Sequence, residues 1–233
     1  MSRHFLCNTR LAGIEQMMLL PPNFSPRSSG FQIGNFKYSA DDVDCRYCTD
    51  YRRKKCAVRR CPWLKERIEA GTVTYQDLVT ECSAHLKNPR TKSRIFLATA
   101  DFHGELHRDH QHRERLTGVW RQFMKDVTRK PPIFLAALHL LTADAELWAA
   151  VKRAVTENGI DFSWAKLRGI SMDNYTLYQT AKSIYTGEKQ ITAADLADEN
   201  MVNDDLLKVI MGAILIACYG CDVYLLNKGR ESV

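Results

Sequence analysis

The sequence has no long apolar run that is free of charge, no internal repeat, no low-complexity tract and no acidic bias. Its longest apolar stretch, residues 206–226, is interrupted by Lys208, Gly220 and Asp222. These interruptions favour a buried C-terminal helix over a membrane span. The formal net charge of +6 disfavours a protein that imitates DNA, because such a protein needs a broadly acidic surface.

The common catalytic signatures are also missing. There is no glycine-rich phosphate loop, no GxSxG elbow and no protein-kinase signature. Serine, histidine and acidic residues occur, but without a spacing typical of a catalytic triad. Enzymatic activity could therefore rest only on a histidine cluster, and we predict a non-enzymatic protein.

The length and composition are those of a folded protein. The 233 residues are 45% hydrophobic and 26% charged, which predicts one large domain or two small ones with a substantial core. Arg3 near the N-terminus is not followed by an apolar run with a small-residue cleavage site, so we expect no secretory signal and a cytoplasmic location.

Positive charge is concentrated in the first half of the chain. Residues 1–130 carry 24 Lys and Arg against 14 Asp and Glu, a net of +10, whereas residues 131–233 carry 9 against 13, a net of −4. The first half is therefore suited to an anionic partner.

The periodicity predicts a mainly α protein, with a compact multi-helix domain that follows an N-terminal four-cysteine zinc module. We divide it into an N-terminal helix and irregular segment (1–40), the zinc module (41–71) and a helical domain (72–233). Apolar residues recur at helical spacing in most of the third region. A capping pair, Thr74 and Asp77, predicts a helix with Leu78, Val79, Cys82 and Leu86 on its apolar face. The other predicted helices there are 108–130, 133–141, 147–155, 163–167, 174–185, 193–200 after a Thr192 cap, and 204–219, and residues 95–100 fit either a strand or a helix.

Four cysteines lie within seventeen residues in the spacing C-x2-C-x7-C-x4-C. They are Cys45, Cys48, Cys56 and Cys61. Clustered thiolates repel one another, and a tetrahedral Zn2+ removes that repulsion by binding all four. Metal binding would also supply folding energy to a segment that is too polar to form its own core. We therefore predict Zn2+ as the cofactor.

The same segment is strongly basic. Six cations occur in ten residues: Arg52, Arg53, Lys54, Lys55, Arg59 and Arg60. Such a density can contact phosphates or a protein partner. Alternatively, the cations offset the negative charge of a zinc–thiolate centre and otherwise face water.

Four of the seven histidines lie between residues 103 and 112. In a helix, His103 and His107 would share a face, with His110 one turn beyond, and this spacing suits a second metal ion. Against a metal, Gly104 interrupts the helix and the segment lacks an HExxH motif. A solvated polar loop is the alternative.

Other cysteines and histidines have simpler interpretations. Cys82 shares an apolar stripe with Leu78 and Leu86, so we predict a core position. His139 lies in the apolar run 133–141 and is interpreted as a core histidine. The terminal pair Cys218 and Cys221 favours two buried thiols, with a redox role or a shared metal left open.

Residues 41–80 and 130–220, with the four clustered cysteines as the specific feature, resemble small zinc-binding accessory proteins of phages and mobile elements of Gram-positive gut bacteria. Anti-CRISPR proteins, including metal-containing Cas9 inhibitors, belong to this group. The resemblance implies a non-enzymatic protein, in the cytoplasm of a bacterial host, that binds Cas9 or its guide RNA complex and blocks DNA loading or cleavage.

Two other functions stay open. One is a zinc-dependent nucleic-acid-binding regulator that uses residues 51–60. The other is a metal-dependent hydrolase that uses the histidines at 103–112. No membrane partner is expected.

Overall fold

The computed structural model describes residues 10, 38–48, 50–52, 55–56, 61–102, 104–123 and 130–230. Over these residues the protein is mainly α, as predicted. The chain divides into two compact units, Met1–Val73 and Thr74–Val233. The predicted N-terminal helix before residue 21 lies outside the described residues.

The described part of the first unit consists of short elements. Two 3-10 turns, Asp41–Val43 and Cys45–Tyr47, precede a two-stranded antiparallel hairpin. The hairpin pairs β1 (Tyr51–Arg52) with β2 (Lys55–Cys56) and is followed by helix α1 (Leu64–Glu69). The buried apolar residues of this part are Val43, Leu64, Ile68 and Val73.

The second unit is helical, with a small hairpin in its middle. Its helices are α2 (Tyr75–Ser83), α3 (Pro89–Ala100), α4 (His110–Phe123), α5 (Pro132–Leu141), α6 (Ala145–Val151), α7 (Met172–Thr186) and α8 (Asp204–Tyr219). Antiparallel strands β3 (Val155–Thr156) and β4 (Gly159–Ile160) lie between α6 and α7. A 3-10 helix, Gly220–Arg230, follows α8.

Helix α5 forms the centre of the second unit. Residues Phe134 to Leu141 are all buried, and α5 packs against both α7 and α8. The run 133–141 is apolar on every side, which predicts a buried helix, and the structure confirms it. Burial of this run contributes the hydrophobic free energy that holds α7 and α8 in place.

Side-chain caps fix where several helices begin. Thr74 and Asp77 form the predicted capping box at the start of α2, and Asn203 accepts a hydrogen bond from the Leu206 backbone at the start of α8. Glycine ends α7: Gly187 follows its last residue and adopts the left-handed conformation that terminates the helix. Local sequence therefore sets these boundaries.

The segment Asp204–Leu226 is long and apolar enough to cross a membrane by length and composition. In the fold, 56% of its most apolar window is buried. Core helices of soluble proteins meet the same length and composition test, and the burial agrees with the predicted core helix.

Three predicted elements differ from the structure. Helix α6 ends at Val151 and Val155 lies on β3, so the predicted helix 147–155 is too long. Residues 163–167 and 193–200 are not α-helices, and each region contains one 3-10 turn, Phe162–Trp164 and Asp195–Ala197. The ambiguous run 95–100 is helical and belongs to α3.

Candidate functional site

The first two clustered cysteines lie in a tight turn. The Asp44 side chain accepts a hydrogen bond from the Arg46 backbone N–H at 2.8 Å and so starts the turn. The Cys48 N–H then donates to the Cys45 carbonyl at 3.0 Å. This turn holds the two cysteines near each other, as the CxxC spacing predicts.

The hairpin and helix α1 carry the other two cysteines. Cys56 lies on β2 opposite Tyr51 and is exposed, and Cys61 precedes the first turn of α1. Burial raises the pKa of the Cys61 thiol, and hydrogen bonds with the Trp63 backbone and the Arg67 side chain offset part of this rise.

The four clustered thiols do not form a closed metal site. Over the described residues, no three side chains of His, Cys, Asp or Glu converge closely enough to hold an ion. The four thiols have the right chemistry for Zn2+, but their side chains are not arranged as a tetrahedral ligand set. Zinc binding by the cysteines stays a prediction.

The turn and the hairpin present cationic and aromatic side chains to solvent. The Arg46 side chain is 76% exposed and forms an ion pair with Asp44 at 2.5 Å. Tyr47 is 73% exposed, and Arg52 on β1 is also exposed and pairs in register with Lys55 on β2. The other predicted cations, Arg53, Lys54, Arg59 and Arg60, lie outside the described residues.

The predicted second metal set is not brought together among the described residues. His110 is the first residue of α4, and its side chain is 75% exposed and lies 3.7 Å from Glu114. His107 precedes the helix and contacts Glu105 through Nδ1 at 2.6 Å. His103 lies outside the described residues, so the proposed role of these three histidines stays a prediction.

The structure instead groups His107 with two histidines that the predicted metal set did not include. The ring centroids of His112 and His139 are 4.6 Å apart, and that of His107 lies 5.3 Å and 5.8 Å from them. Tyr224 completes this histidine cluster, since its ring stacks on His107 and its hydroxyl lies 3.0 Å from Nδ1 of His139. His112 and His139 are fully buried, which confirms the predicted core position of His139.

The hydrogen bonds of the histidine cluster define its chemistry. The Arg108 backbone N–H donates to Nδ1 of His112 at 2.9 Å, so the proton of the neutral ring is on Nε2. A metal-bound histidine normally donates its second ring N–H to an acceptor, and His112 has the opposite arrangement. The cluster therefore does not fit a three-histidine metal site. The Nε2 atoms of His112 and His139 have no hydrogen-bond partner among the described residues.

Burial keeps the histidine cluster uncharged. It lowers the pKa of His112 to about 3, and it also lowers the pKa values of His107 and His139. In the unfolded chain these histidines bind protons near pH 6.5, whereas in the folded protein they bind protons only at lower pH. The free energy of unfolding is therefore highest above about pH 6.5 with respect to these groups, and it falls progressively as the pH decreases from there towards 3.

The burial of His112 could have been predicted from the sequence. His112 lies four and seven residues before Leu116 and Val119, which are buried on α4, so it belongs to the same helical stripe. The approach of His139 and Tyr224 depends on the packing of α5 against the 3-10 helix after α8. Such a long-range contact has no signature in local spacing.

Comparison with known proteins gives no family for this chain: no protein-family model, no curated protein and no solved structure matches it.

Proposed function

We propose that this protein is a non-enzymatic binding protein that contacts an anionic macromolecule through the cationic face of the first unit. We define the cationic face as Arg46, Tyr47 and Arg52. The observation that carries the proposal is the exposure of these three side chains on a turn and a hairpin that adjoin the basic segment 52–60.

The chemistry of the cationic face suits phosphate groups. Guanidinium groups bind phosphate oxygens through paired hydrogen bonds, and an exposed tyrosine ring can stack on an unpaired base. Asp44 orients the Arg46 guanidinium through an ion pair, which reduces the freedom that binding would otherwise remove. The net charge of +10 on residues 1–130 would accelerate encounter with a polyanion.

The leading partner is the Cas9 nuclease with its guide RNA, as the resemblance implies. In this proposal the cationic face contacts exposed guide RNA or an acidic protein surface, and the bound protein blocks target DNA loading or cleavage. Pull-down with guide-loaded and guide-free Cas9, together with a target-cleavage assay, tests it. We expect a complex with the nuclease and a loss of cleavage as the protein is added.

The matched variants are Arg52→Glu in the cationic face and Arg90→Glu on α3, where the side chain is also exposed. We expect Arg52→Glu to weaken binding at least tenfold, by replacing attraction with repulsion, and Arg90→Glu to leave it unchanged. Equal effects of the two variants would remove the cationic face from the proposal. Unaffected cleavage at a large excess of protein would exclude Cas9 as the partner.

A second candidate function is regulation through direct binding to DNA or RNA. The exposure of Tyr47 beside Arg46 favours it, because this pairing of ring and cation suits single-stranded nucleic acid. Fluorescence anisotropy at several salt concentrations tests it. We expect affinity to fall steeply with salt and Arg52→Ala to reduce the log–log slope by about 1. A flat salt response would exclude this function.

We further propose that Cys45, Cys48, Cys56 and Cys61 bind one Zn2+. The tight turn that holds Cys45 and Cys48 near each other supports this ligand set. We expect elemental analysis of the purified protein to give one zinc per chain, and Cys48→Ser to lose it while Cys7→Ser retains it. Cys48→Ser should also lower the melting temperature more than Cys7→Ser does. Purified protein without a transition metal, or equal melting temperatures of the two variants, would contradict the ligand assignment.

A further inference from the structure

Two short turns of the second unit are held together at its surface. The 3-10 turn Lys152–Ala154 follows α6 and packs against the 3-10 turn Phe162–Trp164. The Asp161 backbone N–H donates to the Ala154 carbonyl at 2.8 Å. The Lys166 backbone N–H donates to the Ala150 carbonyl at 3.0 Å. These two hydrogen bonds fix the segment 161–166 beside the end of α6.

This place presents one large aromatic ring among several cations. Trp164 is 63% exposed, although tryptophan is on average a well-buried residue. Four exposed cations adjoin it in the two turns and in the residues that follow them: Lys152, Arg153, Lys166 and Arg168. We call these five residues the Trp164 patch. Over the described residues, none of the four cations forms an ion pair with an acidic side chain, and no other ring contacts Trp164.

The Trp164 patch is cationic although it lies in the acidic half of the chain. Residues 131–233 carry 9 Lys and Arg against 13 Asp and Glu, and four of the nine cations lie in the patch. Only Glu157 and Asp161 oppose them between residues 152 and 168, so this segment has a net charge of +2 and the rest of residues 131–233 has −6. The Asp161 carboxylate already accepts hydrogen bonds from the Ser163 backbone N–H at 3.0 Å and from its hydroxyl at 2.6 Å. Positive charge is therefore concentrated around Trp164.

We propose that the Trp164 patch binds single-stranded nucleic acid, with one base stacked on Trp164 and the adjoining phosphates paired with the four cations. Every base has a flat ring face, so an exposed indole ring can stack on it without reading its identity. Lysine and arginine side chains that contact phosphates release the counterions of the strand, which favours binding. In a duplex the bases already stack on one another, so a single strand suits this arrangement better.

Other anionic partners suit the Trp164 patch less well. Insertion into an anionic membrane requires an apolar face made by several residues, whereas the exposed neighbours of Trp164 in the chain are Ser163, Lys166 and Arg168. A protein interface places its aromatic residues in a core from which charged residues are depleted. Trp164 is instead flanked by cations, as in a surface that follows a sugar–phosphate backbone.

The proposal goes beyond the proposed function, because the Trp164 patch contains no residue of the cationic face. The experiment therefore uses the full-length protein that carries Arg52→Glu, in which the cationic face is weakened. Fluorescence anisotropy with a labelled oligothymidine of about twelve nucleotides measures the affinity. We expect this single strand to bind, and its affinity to fall as the salt concentration rises.

Variants of the patch are made in the same Arg52→Glu chain. We expect Trp164→Ala to weaken binding about tenfold because the stacked base loses its platform, and Trp164→Phe to retain most of the affinity. Lys166→Ala should reduce the log–log salt slope by about 0.7, the value for one phosphate of a single strand. The control is Lys189→Ala, at another exposed lysine of the second unit, which should leave both the affinity and the slope unchanged.

Several results would overturn the proposal. They are unchanged affinity in Trp164→Ala, equal effects of Lys166→Ala and Lys189→Ala, and binding to a duplex of the same length as tight as to the single strand. Binding to polyglutamate or to phosphatidylserine vesicles that depends on Trp164, without binding to oligothymidine, would assign the patch to another partner and also overturn it. Complete loss of oligothymidine binding on Arg52→Glu alone would support the cationic face and overturn the patch, so the two proposals fail separately.

Discussion

Arg94 on α3 provides the sharpest test of how the second unit is held together. It is buried, and its guanidinium donates hydrogen bonds to the backbone carbonyls of Leu196 and Val202 and lies 3.3 Å from a carboxylate oxygen of Asp204. Arg94→Met would keep much of the apolar stem but leave both carbonyls without this donor. A buried group that loses its partner costs about 1–3 kcal/mol, so we expect about 3 kcal/mol less stability in total.

Urea unfolding followed by circular dichroism measures this loss. The expected change makes the ratio of unfolded to folded protein about 150-fold larger at a given urea concentration. The control is Arg90→Met, at an exposed position one turn earlier on α3, which should change stability by less than about 0.5 kcal/mol. A loss below about 1 kcal/mol in Arg94→Met would refute the view that this guanidinium fixes the segment before α8.

Three further perturbations test other parts of the structure. Thr74→Ala removes the side chain that accepts the Asp77 backbone N–H, and should cost about 1 kcal/mol in a urea titration. Gly159→Ala would place a Cβ 2.6 Å from the Tyr185 hydroxyl, so the melting temperature should fall, and Tyr185→Phe in the same chain should restore part of the loss. Lowering the pH from 7 to 5 should cost the wild type about 2 kcal/mol more than His112→Asn, and parallel pH profiles would show that His112 is not kept neutral by the fold.

The sequence predicted the central helices because their apolar pattern matches one period over a long segment. The run at α5 is apolar on all sides, and α8 begins with two acidic residues after an asparagine cap. Both features act locally, through burial and the helix dipole, so they can be read without knowledge of the packing.

The helix predicted at 193–200 shows where local patterns fail. Thr192 and Asp195 make the predicted cap, since Asp195 accepts hydrogen bonds from the Thr192 backbone and hydroxyl. The turn stops after Ala197, and the Leu196 carbonyl accepts from Arg94 instead of a helical N–H. The competing donor comes from a residue about a hundred positions earlier, so the end of the turn depends on tertiary contact.

The helix predicted at 147–155 fails for a different reason. Val155 is buried, as the apolar stripe requires, but it is buried on β3 opposite Ile160. A buried valine fits a helix or a strand equally well, and the two-residue turn Glu157–Asn158, which leads into Gly159 on β4, decided between them. Among the site residues, the exposed positions of Arg46 and Arg52 could be expected from their charge, whereas the approach of Tyr224 to His139 could not.

The order of the elements along the chain affects synthesis in the cell. Helix α5 leaves the ribosome well before α7 and α8, the two helices that cover it. Until Tyr219 has emerged, α5 is only partly covered and its apolar side chains stay exposed to water, where chaperones or other chains can bind them. A premature stop codon between α5 and α8 would therefore leave an aggregation-prone fragment instead of a shorter working protein.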